Sequence, residues 1–554
     1  MKKPKTLLFV FLVIALSFFS FRSLLRPGYF PMHDDMQPIR VLGIDQCLRD
    51  GQFPCRWVPD LGYGYGYPLF IYYSPLAYYF MEVFYLIGFS FLGAIKIEFI
   101  LTIVFSGLAM FLLGKSLWGN FGGLISAVFY VYAPYRATDV YSRGAVGEFT
   151  ALVFLPLIFW AILELVRQGK TKYMIFLGLS FGGLLLTHNI TSLIFTPAAV
   201  FFGILLLWYY KKWYLLPKLI LGSLLGIGVA SFFILPVVFE KSLVHVETMT
   251  YGYFNFLAHF VSLGQMFFSS HWGYGSSEFG PDDDFSFAIG LIHWFSAFVA
   301  IILGFWQRKK KSFPFLVFSC FIIIGLSAAF LAHPRSVFIW NKINLLSFLQ
   351  FPWRFLAIII FAFSAMAGGI ILYFKKYALL VGSLMILAVI VLNFNYFRPA
   401  DWFPTMKDED KFSGQLWEKQ VTASIFDYLP VFAKAPPAGP APDNPEAVSG
   451  EIKVLNFKKG TDWQEGELEV LSSEAKVRLP LFYFPNFELL VDNEKATIDY
   501  KNDLGLITFD LTQGEHNFYV KLKKTPIRII GDLVSLASLL FIGGWLINEK
   551  KHIF

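Results

Sequence analysis

Charge is what this sequence has least of: 15% of its 554 residues are Asp, Glu, Lys or Arg, against roughly 25% in soluble globular chains. Lysine and arginine outnumber aspartate and glutamate by 46 to 39, a net charge of +7, yet they form no single patch that would suit nucleic acid. There is no phosphate-binding loop of the Walker kind. The Gly62, Gly64, Gly66 series in GYGYGYP mimics a dinucleotide fingerprint but follows no strand and opens no helix. A nucleotide-using enzyme is therefore unsupported. A cleavage site is missing too. Met-Lys-Lys-Pro-Lys leads into an apolar run from Leu7 to about Leu25, and Phe21-Arg22-Ser23 offers no small residues for a signal peptidase. The run reads as a retained first helix whose N-terminus is cytoplasmic.

What is present is apolar length. Hydrophobic residues make up 56% of the chain and aromatic ones 19%. They gather in stretches of about 18–22 residues, enough to cross a hydrocarbon core as helices. Beyond the first, spans lie near 93–114, 118–134, 148–166, 173–189, 190–210, 215–239, 286–306, 313–332, 353–374, 377–397 and 527–547. The expectation is a polytopic α-helical membrane protein with about twelve transmembrane helices. With residues 26–92 outside, the basic clusters at Lys115, Arg167 to Lys172, Lys211-Lys212, Arg308 to Lys311, Lys375-Lys376 and Lys550-Lys551 all face inward. Both termini are then cytoplasmic. Counting the greasy piece from Pro75 to Phe91 as a span would reverse every later loop, so it is read as an interfacial or re-entrant outer helix.

Three large outer segments follow: 26–92, 240–285 and 398–525. The last shows period-two alternation in Lys476 to Leu481, Phe487 to Val491, Leu506 to Phe509 and His516 to Leu522, which predicts an extracytoplasmic β-sandwich. The expected division is a transmembrane domain over 1–397, the β-rich domain over 398–525, and a final helix with its basic tail over 526–554.

The scarce ionisable residues collect at outer helix ends. His33, Asp34 and Asp35 precede a predicted amphipathic helix from about Pro38 to Asp50, stopped by Gly51. The aspartates can take a hydroxyl proton or hold a divalent cation, or they can cap that helix. After the third span come Arg136, Asp139, Arg143 and Glu148, between two apolar segments. Such residues are expensive at membrane depth. They either pair with one another or form a cationic pocket for phosphate, which the arginine fork suits. His188-Asn189 and Arg354, in Phe351-Pro352-Trp353-Arg354, occupy other outer ends, where a structural role for the histidine and interfacial anchoring for the arginine are the plainer readings. His271, Glu278 and Asp282-Asp283-Asp284 read better as a solvated turn than as a metal site. Cys47 and Cys55 fall outside, where a disulfide can survive, and their pairing stays open. Cys320 lies in a span as inert packing.

Several of these segments resemble one bacterial membrane family, usually labelled "6-pyruvoyl-tetrahydropterin synthase-related" and similar to the YfhO-like proteins. The likeness rests on His33-Asp34, Gly51, Arg56-Trp57, Pro59 and Gly62 to Pro68. It continues in the Pro134 to Glu148 block, Gln350 to Phe355, Asp427 to Pro430, Tyr483 to Phe487 and Val491-Asp492. The nine histidines are scattered among apolar helices, so a zinc-dependent pterin enzyme is not implied. The resemblance implies a GT-C architecture: a membrane glycosyltransferase with an acidic residue in its first outer loop and a lipid-phosphate-linked sugar as donor. By position Asp34, with Asp35 as nearest substitute, is the implied acid. Arg136, Asp139, Arg143, Glu148, His188, Asn189 and Arg354 would surround the donor phosphate, and Trp57, Tyr63 and Tyr65 would stack on sugar or acceptor. No cofactor is required, and a divalent cation has no support. The partners implied are a lipid-linked sugar, membrane lipids and a cell-envelope glycan or lipid acceptor. A non-catalytic envelope scaffold and a lipid-linked sugar transporter or flippase are the rival classes.

Overall fold

The computed structural model describes residues 3–278, 280, 283–306 and 313–551. Asp282 and the Arg308 to Lys311 cluster lie outside the described residues, as do the side chains of Lys550 and Lys551. Helices dominate. The first half of the chain holds α1 (Lys3–Phe21), α2 (Gln37–Arg49), α3 (Leu69–Tyr72), α4 (Leu76–Leu86), α5 (Phe91–Val131), α6 (Pro134–Thr138), α7 (Val146–Gln168), α8 (Thr171–Thr187), α9 (Asn189–Tyr210), α10 (Leu216–Val229) and α11 (Ser231–Phe239). The second half holds α12 (Leu291–Trp306), α13 (Phe313–Ala332), α14 (Val337–Lys342), α15 (Leu356–Ala367), α16 (Ala378–Asn393), α17 (Asp408–Lys411), α18 (Gly414–Thr422) and α19 (Pro526–Lys551).

Among the described residues, eight helices are long and apolar enough to cross a membrane. The longest is not one rod. Gly119 at φ 81°, ψ 177° breaks α5, and its limbs 91–118 and 120–131 fold back on each other. A Cβ on Gly114 would lie 2.9 Å from the Gly123 Cα, and one on Gly107 would lie 2.9 Å from Val131. Glycine is required where the two limbs approach this closely. Counting the limbs separately and adding the shorter apolar helices α8 and α12 accounts for most of the difference from about twelve. With 11 residues, α4 is about 16 Å long, roughly half a hydrocarbon core, and cannot cross.

The chain forms two units, each drawn from several stretches. The first comprises Met1–Asp35, Ile87–Ala230 and Thr250–Lys407; the second comprises Met36–Leu86, Ser231–Met249 and Asp408–Phe554. In the first unit every residue of α15, within the stretch Pro352–Tyr373, is buried, as expected of a helix that is apolar all round. Aromatic rings build the core beside it: Phe159 lies 4.5 Å from Phe202 and 4.8 Å from Phe361, centroid to centroid.

The second unit carries six strands: β1 (Glu446–Ser449), β2 (Ile452–Lys459), β3 (Trp463–Phe482), β4 (Phe487–Val491), β5 (Glu494–Ala496) and β6 (Leu506–Leu522). They form one antiparallel sheet in the order β1-β3-β6-β4-β5, with β2 also on β3. The expected antiparallel β-rich domain is present, and its strands are joined in one hydrogen-bonded sheet. The reason is strand length: β3 has 20 residues, enough to pair β2 along its first part and β1 near its end. Both β3 and β6 alternate, burying Leu468, Val470, Val477 and Leu479 on one and Phe518, Val520 and Leu522 on the other.

The rest of this unit is tied to the sheet by named bonds. The predicted amphipathic helix is α2; its N-cap is Met36 with no side-chain cap, and Gly51 follows it at φ 77°. Cys47 and Cys55 are bridged, with sulfurs 2.07 Å apart. At the end of α2, Asp50 accepts from the Thr461 backbone N–H at 2.7 Å and from the Trp463 indole at 3.0 Å.

Candidate functional site

The polar block of the first unit sits on an irregular turn between two apolar helices. After α6 the chain makes one π turn, Asp139–Arg143, ended by Gly144 in the left-handed region at φ 64°. A π turn widens the backbone and is frequent at functional sites. Here it aims the Arg143 guanidinium back at its own helix. Arg143 pairs with Asp139, donates to the Glu148 carboxylate at 3.0 Å, and stands 4.4 Å from the Trp353 ring centroid. Glu148 accepts the Tyr135 hydroxyl at 2.6 Å, and its Oε2 lies 3.4 Å from Arg354 Nε. One carboxylate therefore serves two guanidiniums and a phenol.

Arg354 is fixed from its own loop, donating to the Leu349 carbonyl at 2.6 Å and to Gln350 at 3.3 Å. Gln350 takes φ 62°, ψ −48°, a strained conformation for a non-glycine residue. Arg136 is different. It is fully buried between the rings of Tyr130 and Phe149, 4.7 and 5.0 Å away, and donates to Ser106 at 2.6 Å. Its Nε and Nη1 have no hydrogen-bond partner among the described residues.

The loop after α1 reaches this turn through its backbone. The His33 N–H donates to the Ser142 carbonyl at 3.0 Å and the Asp34 N–H to the Arg143 carbonyl at 2.9 Å. His33 also bonds the Tyr274 carbonyl at 2.7 Å, while its ring lies 6.2 Å from Phe285, itself 5.3 Å from Trp353. Asp34 and Asp35 are half-buried beside this contact. His188 caps α9, accepting the Thr191 N–H on Nδ1 at 3.2 Å, and Asn189 opens that helix.

The charges bias one another. Burial lowers the Arg136 guanidinium to about 10. Burial also works against Arg143, but the Glu148 and Asp139 carboxylates with Tyr135 outweigh it and hold that guanidinium charged. For Asp139, burial and then Glu148 raise the carboxyl well above the usual range, against Arg143. Burial, then Arg354, pushes the His188 imidazole down to about 3. Three guanidiniums face two carboxylates, which leaves the turn cationic and suited to an anion.

Trp57, Tyr63 and Tyr65 belong to the second unit. Trp57 is fully buried, 5.7 Å from Phe484 and 5.4 Å from Phe487, so it offers no ring face to solvent. Tyr65 is nearly buried against Phe482 at 5.4 Å, and Tyr63 holds φ 62° in the glycine-rich turn. Among the described residues no group of three or more His, Cys, Asp or Glu could hold a metal. His271 and Asp284 form a lone exposed pair at 3.3 Å.

Among the buried acids that the sequence did not single out, Glu98 lies beside this site. Glu98 lies about 10 Å inside α5, fully buried, accepting from Thr102 at 2.8 Å and from Thr150. With Ser106, one turn beyond Thr102, it makes a polar row that ends on Arg136. A single Glu at the head of a long apolar run is hidden by its neighbours' hydropathy; the Glu98, Thr102, Ser106 spacing of four was the available signal.

No family model matches the chain. An uncharacterized protein of Lactococcus lactis subsp. cremoris (strain MG1363) is 24% identical over 306 residues, covering 51% of this chain and 47% of that protein. Among solved structures the chain is similar to the mycobacterial arabinofuranosyltransferase AftD, with TM-score 0.45 and 12% identity over 73% of this chain and 28% of that one. It is similar to an Archaeoglobus fulgidus oligosaccharyltransferase tethered to an acceptor peptide, with TM-score 0.42 and 13% identity over 73% and 56%. ArnT from Cupriavidus metallidurans, bound to undecaprenyl phosphate, follows at 0.33 and 13% over 71% and 64%. The chain thus spans less than two thirds of each. At TM-scores below 0.5 none of their chemistry passes to this protein.

Proposed function

We propose that this chain is a membrane glycosyltransferase of GT-C type, working on the outer face of the cytoplasmic membrane. Its donor is a polyprenyl-phosphate sugar and its acceptor a hydroxyl on a cell-envelope glycan or lipid. The observation that carries the reading is the backbone contact of His33-Asp34 with Ser142-Arg143, which sets a carboxylate loop against a cationic turn in one unit.

The chemistry follows from those groups. The lipid tail lies among apolar helices and the phosphate is held by Arg143 and Arg354, with Arg136 behind them. Asp34 takes the proton of the acceptor hydroxyl as it attacks the anomeric carbon, and the sugar is transferred with inversion. The guanidiniums stabilise the departing lipid phosphate, and no metal is needed for that role. Asp35 is the nearest substitute base.

The test is Asp34→Asn, assayed for transfer from lipid-linked sugar in membranes with expression and topology controlled. Loss of a general base lowers the rate by roughly 10²–10⁴-fold. Full transfer by this variant removes Asp34 from the mechanism. If deletion of 398–525 alone then abolished the phenotype, the chain would be a scaffold.

A further inference from the structure

The second unit holds another pair of buried guanidiniums, unconnected with the proposed transfer. Arg528 lies in the first turn of α19, 1% exposed, donating through Nε to Glu240 at 2.9 Å and standing 5.4 Å from the Phe484 ring centroid. Arg56 follows the Cys47–Cys55 bridge, 6% exposed, donating through Nη2 to Asp532 at 2.6 Å. Each keeps one nitrogen without a hydrogen-bond partner among the described residues: Nη2 of Arg528 and Nε of Arg56. Buried guanidinium N–H groups are costly to leave unmet, so their vacancy marks a place for an acceptor.

Both arginines line one cavity with Lys521, Lys523, Lys524 and the loop Gly51 to Pro54. Five carboxylates face these five cations: Asp50 acts on Lys521, Glu488 acts on Lys523, and three others hold salt bridges. Asp532 holds Arg56 and, at 2.7 Å, Lys524; Glu240 holds Arg528; Asp462 lies 3.9 Å from Lys521. Burial and the Arg528 charge act against the Arg56 guanidinium, with Asp532 opposing them. The surroundings are amphipathic. Phe53, on the cavity's edge, is 67% exposed, and α19 leaves the cavity with Ile529, Ile530 and Leu533 exposed, as a lipid-facing helix would.

We propose that this cavity binds the phosphate headgroup of an anionic membrane lipid, with Arg56 and Arg528 donating to the phosphate oxygens and the three lysines at its mouth. The acyl chains then lie along α19.

The experiment uses the full chain in a neutral detergent and follows its thermal unfolding against short-chain phosphatidylglycerol, short-chain phosphatidylcholine and inorganic phosphate. Phosphatidylglycerol should raise Tm saturably at concentrations where the other two do not. The double variant Lys521→Gln/Lys523→Gln, at the open mouth, should need about fivefold more of it for each lysine removed. Arg528→Gln should abolish the shift; if it does not fold, the lysine variant still decides. An equal response to phosphatidylcholine, or a wild-type response in the lysine variant, overturns the site. An equal response to inorganic phosphate overturns the lipid assignment.

Discussion

Arg143 and Glu148 are joined at 3.0 Å, with side chains 11% and 2% exposed, and the same carboxylate lies 3.4 Å from Arg354. Glu148→Gln strips the counter-charge from two shielded guanidiniums at once. Breaking a buried pair from one side costs about 3–5 kcal/mol. The variant should unfold at lower temperature or denaturant by that amount. Adding Arg354→Gln should recover part of the loss, because one orphaned charge goes with it. A double variant as unstable as the sum of the two singles would show that Arg354 and Glu148 do not interact.

Gly144 ends the π turn at φ 64°, and a Cβ there would run into the Met32 side chain. Gly144→Ala should cost roughly 1–2 kcal/mol from the left-handed backbone alone, plus the clash. Met32→Ala in the same chain should remove the clash and leave the backbone part. Because the clash pushes on the loop bonded to Ser142 and Arg143, sugar transfer should fall in the single variant and return in the double. Transfer that stays low in the double variant would place the fault in the turn itself.

How much of this was legible follows from range. The spans were readable because each carries its own apolar length, and the break at Gly119 falls just inside the start of the expected 118–134 span. α2 and its stop at Gly51 were readable from local spacing. That residues 36–86 belong with 408–554 was not, since it depends on bonds such as Asp50 to Thr461, more than four hundred positions apart. The strand segments were seen, but β6 looked like two strands because Gln513 and Gly514 interrupt its alternation. In the polar turn the residues themselves stood out by rarity. Their pairing did not: nothing in the spacing says that Glu148 is shared by Arg143, Arg354 and Tyr135 while Arg136 hydrogen-bonds Ser106. Trp57 looked like a stacking surface because aromatic type does not report burial.

His188 supplies a pH dependence. Its pKa, pushed down to about 3 by burial and then by Arg354 and Arg143 against Glu148, lies below the ~6.5 of a free imidazole. The folded protein therefore refuses a proton that the unfolded chain accepts. Stability from this group is whole above about pH 6.5 and declines as pH falls towards 3. Protonation would also end the Nδ1 acceptor role toward the Thr191 N–H. His188→Gln should flatten this acid decline in Tm measured from pH 7 to pH 4. Identical slopes in the two proteins would mean that the imidazole titrates freely.

Arg136 separates stability from function most sharply. Its charge is fully buried, its nearest hydrogen-bond acceptor is a neutral serine, and two of its nitrogens have no partner among the described residues. Asp139 acts on it electrostatically without a hydrogen bond, and a buried cation so incompletely compensated works against folding. Arg136→Met keeps the volume and the contact with Tyr130 and Phe149 while deleting the charge. The variant should be as stable as the wild type or more so, by up to about 1–4 kcal/mol, as found when buried ionic groups give way to apolar ones. Transfer should nonetheless fall, with the loss concentrated in donor concentration dependence, because the phosphate loses a cation. A destabilised Arg136→Met would mean that a buried partner satisfies this guanidinium, and a stable, fully active one would put Arg136 outside the site.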